Sequence, residues 1–316
     1  MIEVENLSKR YGDKLAVDGL SFIVQPGIVT GFLGPNGAGK STTMRMIAGL
    51  DRPTAGSVTV NGRDYRSAHA PMTELGVLLE ARAVHTGRSA RNHLLAMAQT
   101  NGISRRRVDQ VIDLVGLQQV AEKRVGGFSL GMGQRLGVAT ALLGNPKTVV
   151  LDEPVNGLDP EGVRWMRTML QDLAALGHTV FVSSHLMSEM AHTATRLVVV
   201  GRGRLIADTT VTEFVARASI RSVTVRSPEA ARLRDLLLAT GLTDITVADD
   251  QPDVLRVGGL TADHIGTLAW QSHIPLYELA VQHASLEEAF MTLTRDSVEY
   301  RSTDHRSPNN TAAVAA

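Results

Sequence analysis

Gly34-Pro35-Asn36-Gly37-Ala38-Gly39-Lys40-Ser41-Thr42 lies between an apolar run at 28–33 and a helical stretch at 43–50. A glycine-rich loop between a strand and a helix is the context in which this pattern holds phosphate. The glycines let successive backbone N–H groups turn inward around the β- and γ-phosphates of a nucleoside triphosphate. Lys40 adds a point charge, and the Ser41 hydroxyl is suited to Mg²⁺. The helix behind the loop presents the positive end of its dipole to the same anion. An ordinary glycine-rich turn would need neither the lysine nor the strand and helix on its two sides.

Working outward, residues 148–153 form an apolar run ending in Asp152 and Glu153. In isolation such an end reads as a solvated acidic turn. Downstream of a phosphate loop it reads as one carboxylate for Mg²⁺ and a second that polarises an attacking water. Phe128-Ser129-Leu130-Gly131-Met132 precedes a helical run to Leu143. Locally, Ser129 is the N-cap of an ordinary helix, with Gly131 permitting close backbone approach.

Residues 1–33 alternate apolar and polar positions, with turn signals at 11–13 and 26–27, which predicts short antiparallel strands. Residues 57–60, followed by Asn61-Gly62, continue that pattern as a further strand pair. From 86 to 119 the spacing becomes helical, as an insertion. Strands at 148–151, 179–183 and 196–200 then alternate with helices at 160–176 and 186–193. That order predicts an α/β fold with a parallel sheet covered on both faces. Residues 222–281 read βαββαβ, the ferredoxin-like order. A last helix is predicted at 286–294, with no obvious packing partner, and residues 301–316 lack periodicity and are expected to be disordered.

The 316 residues suffice for one large and one small domain. Net charge is zero, which supplies no electrostatic footprint for nucleic acid. The absence of cysteine excludes disulfides, thiolate catalysis and cysteine-ligated metals. The start lacks a basic segment followed by an apolar one, so no signal peptide is expected. No apolar run approaches the ~20 residues of a bilayer span. The expectation is a soluble, intracellular chain held at a membrane only through a partner.

Lys40, Glu80, Ser129, Asp152 with Glu153, Asp159 and His185 follow one another in the order found in ATP-binding cassette proteins, and residues 1–215 closely resemble that family. Residues 34–42 match its Walker A loop, 128–132 its signature motif and 149–153 its Walker B strand. Residues 156–159 match its D-loop, and Ser184-His185 its switch histidine. Tyr11 stands where the family stacks an aromatic ring on adenine. Read alone, His185 and Tyr11 would be unremarked core or surface residues.

The resemblance implies a P-loop NTPase cassette over 1–216, with a helical subdomain at about 86–145, and an accessory α+β domain over 217–300. It implies an ATPase with ATP and Mg²⁺ as cofactors. Tyr11, Gly34, Pro35, Asn36, Gly37, Ala38, Gly39, Lys40, Ser41 and Thr42 would hold the nucleotide. Ser41, Asp152 and Glu80 would lie toward the metal, and Glu153 and His185 would act on the attacking water. Ser129 and Gly131 would face nucleotide held by a second copy of the chain, so a homodimer is implied, and Asp159 of the D-loop would also belong to the nucleotide site. The other partner implied is a multi-span permease, docked at about residues 80–95, which would hold the chain at the cytoplasmic face of the membrane. No nucleic acid partner is expected. A soluble cassette acting on ribosomes or DNA is the alternative, but such chains usually carry two cassettes or basic segments.

Two motifs depart from the family pattern. The signature usually reads Leu-Ser-Gly-Gly-Gln, and this chain has Leu130 and Met132 at the third and fifth places. Glu80 replaces the usual glutamine and adds negative charge beside phosphates. It reads either as a carboxylate reaching Mg²⁺ through water or as a plain loop residue. Both departures, and the Ser285-Leu286-Glu287 segment, resemble ATPases of bacterial antibiotic and lantibiotic exporters.

Overall fold

The computed structural model describes residues 1–80, 84–218, 222–248, 251–282 and 286–294. Its centre is a six-stranded sheet in the order β5-β6-β7-β3-β8-β9. The strands are β3 (Val29–Leu33), β5 (Leu75–Leu78), β6 (Thr148–Leu151), β7 (Thr179–Ser184), β8 (Arg196–Gly201) and β9 (Arg204–Thr210). The first five are parallel and β9 closes the edge antiparallel to β8. Every residue of β3, β6 and β7 is buried, as expected for parallel strands covered on both faces.

Alternation along these strands feeds two cores. Val149, Leu151, Val180, Val182, Leu197 and Val199 point into one; Val150, Phe181, Val198 and Val200 point into the other. The second core is closed by α1 (Lys40–Ile47) and a three-stranded antiparallel sheet, ordered β2-β1-β4: β1 (Ile2–Tyr11), β2 (Lys14–Val24) and β4 (Ala55–Val60). Phe22, Phe32 and Phe181 meet between the two sheets with ring centroids 5.0 to 5.8 Å apart. At that separation tilted aromatic pairs add to simple area burial.

Two expectations for this region need correction. Residues 1–24 form two long strands of 10 and 11 residues rather than several short ones. The turns fall at the 11–13 and 26–27 signals, and the register shifts inside the β1–β2 ladder do not end either strand, as bulges allow. After Asn61 and Gly62 the chain returns only as a single bridge from Val60 to Arg63. Residues 57–60 pair with β1 instead of opening a hairpin.

The first core is covered by helices. A short α2 (Pro71–Glu74) leads into β5, and α3 (Ala90–Thr100), α4 (Arg105–Leu114) and α5 (Leu130–Leu142) form the helical insertion. α6 (Pro160–Ala175), α7 (Met187–Thr193) and α8 (Val211–Ala218) complete that layer. Among the described residues no helix is long and apolar enough to cross a membrane.

The C-terminal part has β10 (Ser222–Arg226), α9 (Ala230–Ala239), β11 (Ile245–Ala248), β12 (Gln251–Gly258), α10 (Ala262–Gln271) and β13 (Glu278–Gln282). Its sheet order, β11-β12-β10-β13, is antiparallel throughout, the ferredoxin-like arrangement expected from the element order. It has its own core, centred on Val223, Val225, Leu233, Leu237 and Ile265.

The last helix, α11 (Leu286–Thr294), does not join that core. Leu286, Ala289 and Phe290 belong to the first core of the large unit, and α11 packs on α8 and α7. The spacing i, i+3, i+4 puts these three residues on one stripe, buried to 3%, 0% and 6% exposure. The chain therefore returns to the large unit after building its C-terminal sheet. Phe290→Ala is expected to lower unfolding stability by about 3 to 5 kcal/mol, the usual cost of Phe→Ala in a core. Urea unfolding of the full chain would measure it; a loss below about 1 kcal/mol would mean that α11 is a loosely attached appendage. Residues 301–316 lie outside the described residues, as do 81–83 of the stretch expected to dock a permease.

Candidate nucleotide site

The loop after β3, the carboxylates after β6 and the histidine after β7 all emerge at the C-terminal edge of neighbouring parallel strands. That edge is where open α/β sheets bind ligands. Gly37 and Gly39 adopt φ of 82° and 97°, a left-handed backbone that side chains rarely tolerate. Space is also restricted there. A Cβ on Gly34 would lie 2.5 Å from the Val200 carbonyl oxygen, and one on Gly39 would lie 2.6 Å from that of Ala16. Gly39 caps α1 without any side-chain bond, which leaves the first-turn amides facing the loop, as anion binding requires.

Lys40 is the first residue of α1 and is 7% exposed. Its ammonium donates to the carbonyl oxygens of Gly34 at 2.5 Å and Pro35 at 3.3 Å. Burial pushes its pKa down, and the charges of Glu153 and Asp152 pull it back up. One buried cation thus sits within electrostatic reach of both carboxylates and of the loop.

The Ser41 hydroxyl donates to Asp152 Oδ2 at 2.7 Å. The other oxygen of Asp152 accepts from the Ser183 hydroxyl, and Ser183 Oγ in turn accepts from the Glu153 amide at 2.9 Å. Glu153 has φ of 50° although it is not glycine and precedes Pro154, two conditions that disfavour this backbone. The Ser183 bond and a 3.2 Å bond from the buried Gln134 side chain to the Glu153 carbonyl hold it there. Glu153 Oε2 lies 2.7 Å from His185 Nδ1 and accepts from the His185 amide at 3.3 Å. Ser183 and Gln134 were not singled out in the sequence. The signal for Ser183 is its place at the end of β7, two residues before His185. Gln134 lies on α5, remote in sequence from the residue it supports.

Tyr11 is 47% exposed at the end of β1, and its hydroxyl donates to Asp51 at 2.8 Å. Asp51 also accepts two bonds from Arg45 of α1, and Lys9 lies 4.9 Å from the Tyr11 ring centroid. Burial and the Asp51 charge push the Tyr11 phenol above its usual range, and the Arg45 and Tyr11 hydrogen bonds hold Asp51 below the usual carboxylate range. The ring is anchored at its hydroxyl by Asp51 and has the Lys9 ammonium over one face. Glu80 is exposed and shares the lining of a cavity of about 540 Å³ with Ser41, Asp152, His93 and Met97.

Three expected site residues lie apart. Ser129 caps α5, accepting from the Met132 amide at 3.2 Å. Asp159 caps α6, accepting from the Gly162 amide at 2.9 Å. Gly131 lies against the D-loop, where an added Cβ would stand 3.3 Å from the Gly157 carbonyl oxygen. Among the described residues, no hydrogen bond joins Ser129, Gly131 or Asp159 to the Walker A loop. The structure therefore assembles two groups: Tyr11, 34–42, Glu80, Asp152, Glu153 and His185 in one, and Ser129, Gly131 and Asp159 in the other. Gln134 connects them, since it extends from α5 to Glu153.

Residues 17–156 match the family described as ABC transporter, and residues 221–287 match a domain of unknown function. The chain is 40% identical to the bacitracin transport ATP-binding protein BcrA of Bacillus licheniformis, over 65% of this chain and 68% of that protein. It is 35% identical to the Nod factor export ATP-binding protein I of Burkholderia lata, over 93% of this chain and 96% of the relative. A solved ATP-binding subunit of an ABC transporter superposes with a TM-score of 0.63 at 26% identity, covering 69% of this chain and 92% of that one. The chain belongs to the ATP-binding cassette family, and its fold is that of the family's ATPase subunits.

Proposed function

We propose that this cassette ATPase powers export through a separately encoded multi-span permease and works as a pair of identical chains closed by ATP. The single observation that carries the pairing is the division of the site. Among the described residues, Ser129, Gly131 and Asp159 make no hydrogen bond to the chain's own Walker A loop, and a site split in this way is completed by a second copy. Export is supported by relatives named for transport of bacitracin and export of Nod factor. The domain division that fits this reading is a cassette over 1–216 and an accessory domain over 217–300 whose last helix buttresses the cassette.

In this reading the amides of 34–42 and the Lys40 ammonium hold the β- and γ-phosphates, and the face of Tyr11 receives the adenine. Ser41 and Asp152 are hard oxygen donors already 2.7 Å apart, a pair that suits Mg²⁺, which keeps most of its shell for water and phosphate. When bound, the ion neutralises phosphate charge. Glu80 lies on the same side and acts through water. Glu153 accepts the proton of the attacking water, and His185, paired to it, fixes where that carboxylate points. The permease sits against the cavity beside Glu80, which places the chain at the cytoplasmic face of the membrane.

Affinity capture of the tagged chain from detergent-solubilised membranes of its host is expected to recover a multi-span protein in equal amount. Recovery of the chain alone, or with ribosomes, would reject the transport reading.

A further inference from the structure

Leu130 is apolar, sits at the first position of α5 and is 47% exposed, so burial of its own side chain does not account for its being there. Its covered half lies over Gly157. A Cβ built on Gly157 would stand 2.1 Å from Leu130 Cδ2 and 2.4 Å from Cγ. Gly157 has φ of 75°, so the D-loop turns under Leu130 with a residue that has neither side chain nor ordinary backbone. On the same line of contact, the Gly131 position faces the Gly157 carbonyl and Leu158. The D-loop's own internal bonds are few: the Asn156 amide to the Glu153 carbonyl at 3.2 Å and the Leu158 amide to the Val155 carbonyl at 3.1 Å. Val155 and Leu158 pack against the first core, whereas Asn156 and Gly157 between them are exposed; at that exposed tip, where local stability is lowest, the Leu130 side chain adds an external restraint.

We propose that Leu130 is a positioning residue that clamps the D-loop to the first turn of α5, so that Ser129, Gly131 and Asp159 present one rigid surface to a partner's nucleotide. This rests on the paired-site reading above. The clamp also has an upstream end. The segment leading into the D-loop starts at Glu153, whose carbonyl accepts from both the Asn156 amide and Gln134 of α5. Leu130 and Gln134, one turn apart on α5, thus hold the two ends of the segment between the catalytic carboxylate and Asp159. Loss of the Leu130 side chain would free the far end while Gln134 still holds the near one. Misplacing reacting groups by about 1 Å can cost on the order of a hundredfold in rate, so a modest loosening is expected to be visible in turnover.

The test uses the full chain with Leu130→Ala, Leu130→Met, Gly157→Ala and the Leu130→Ala/Gly157→Ala double variant. Hydrogen exchange in the nucleotide-free chain reads the clamp itself, without any dimer. The Asn156 and Leu158 amides are expected to exchange at least about fivefold faster in Leu130→Ala and at the wild-type rate in Leu130→Met. For ATP hydrolysis, kcat is expected to fall about tenfold in Leu130→Ala with KM within about twofold, and Leu130→Met is expected to restore it. Gly157→Ala alone should be impaired by the clash with Leu130, and the double variant should lose less than the two single losses combined, since removing one partner makes room for the other. Unchanged exchange in Leu130→Ala overturns the clamp. Faster exchange with unchanged kcat overturns the positioning role. A wild-type chain that never pairs on adding ATP, seen by sedimentation, would instead defeat the paired-site reading beneath it.

Discussion

Glu153→Gln is expected to bind ATP as well as the wild-type chain, to lower turnover by at least about a hundredfold, and to accumulate as an ATP-bound pair. The magnitude follows from the role. A positioned general base contributes about 10² to 10⁴ in rate, or about 2.7 to 5.5 kcal/mol of barrier. The substitution is suited to the site because it changes charge and proton affinity while preserving shape. The left-handed backbone at Glu153 is held by main-chain bonds from Ser183 and Gln134, which an amide side chain leaves untouched. The side-chain oxygen of Gln can still accept from the His185 amide, which now reaches Glu153 Oε2. Removing the carboxylate also removes a negative charge from beside the bound triphosphate, which relieves like-charge repulsion in the closed pair. Binding and closure therefore persist while the chemical step fails. Single-turnover hydrolysis together with sedimentation in ATP measures both halves. A variant turning over within a few-fold of wild type would remove Glu153 from the mechanism and shift attention to Asp152 or to His185 alone.

The parts of this site legible in the sequence are those that one short segment defines by itself. Residues 34–42 carry their glycine spacing, lysine and hydroxyl in a row, and the strand before them and helix after them were readable from hydrophobic pattern. Asp152 and Glu153 were readable only through their place downstream of that loop, since an apolar strand ending in two acids reads by itself as a solvated turn. The supports were not readable. Ser183 and Gln134 reach Glu153 from β7 and α5, separated from it by 30 and 19 residues, and a serine or glutamine in those settings has no local signature. The contact of Leu130 with Gly157 is hidden for the same reason, although the departure of Leu130 from the usual signature marked the place.

The fold divides similarly. The alternation of strands with helices from residue 148 onward announced a doubly covered sheet, and the βαββαβ order announced the ferredoxin-like unit. The destination of α11 could not be read, because an amphipathic stripe specifies that a face is buried but not against what. Only the closure of the first core by Leu286, Ala289 and Phe290 shows that the chain leaves the cassette, builds a sheet and comes back. That return places the accessory domain in series with α7, the helix that begins two residues after His185.

Lys40→Ala is expected to abolish measurable ATP binding, weakening it by at least about a hundredfold, while leaving the nucleotide-free chain close to wild-type stability. The two halves come from opposite sides of one balance. In the nucleotide-free chain Lys40 is a buried cation whose desolvation opposes its charge, offset by the Gly34 and Pro35 carbonyls and by the field of Asp152 and Glu153. Replacing it removes a cost and a compensation together, so the net change in unfolding free energy is expected to stay within about 1 kcal/mol, smaller than the cost of breaking a buried pair whose other member stays uncompensated. Asp152 here retains Ser41 and Ser183, and Glu153 retains His185. With triphosphate present the balance tips. A hydrogen bond to a charged group is worth about 1.5 to 3 kcal/mol, and the loop offers no second cation within it, the nearest basic side chain of α1, Arg45, being tied to Asp51. Thermal unfolding with and without ATP separates the two effects, because ligand binding to the folded state alone raises its stability by RT ln(1 + [L]/Kd). The wild-type midpoint should climb with ATP and that of Lys40→Ala should not, the two coinciding without nucleotide. Lys40→Arg should fail to rescue, since a planar fork cannot replace a compact ammonium at a site that leaves its side chain 7% exposed. An ATP-dependent rise in Lys40→Ala equal to that of the wild type would show that the backbone amides alone hold the triphosphate, and that Lys40 serves only to close the empty loop on Gly34.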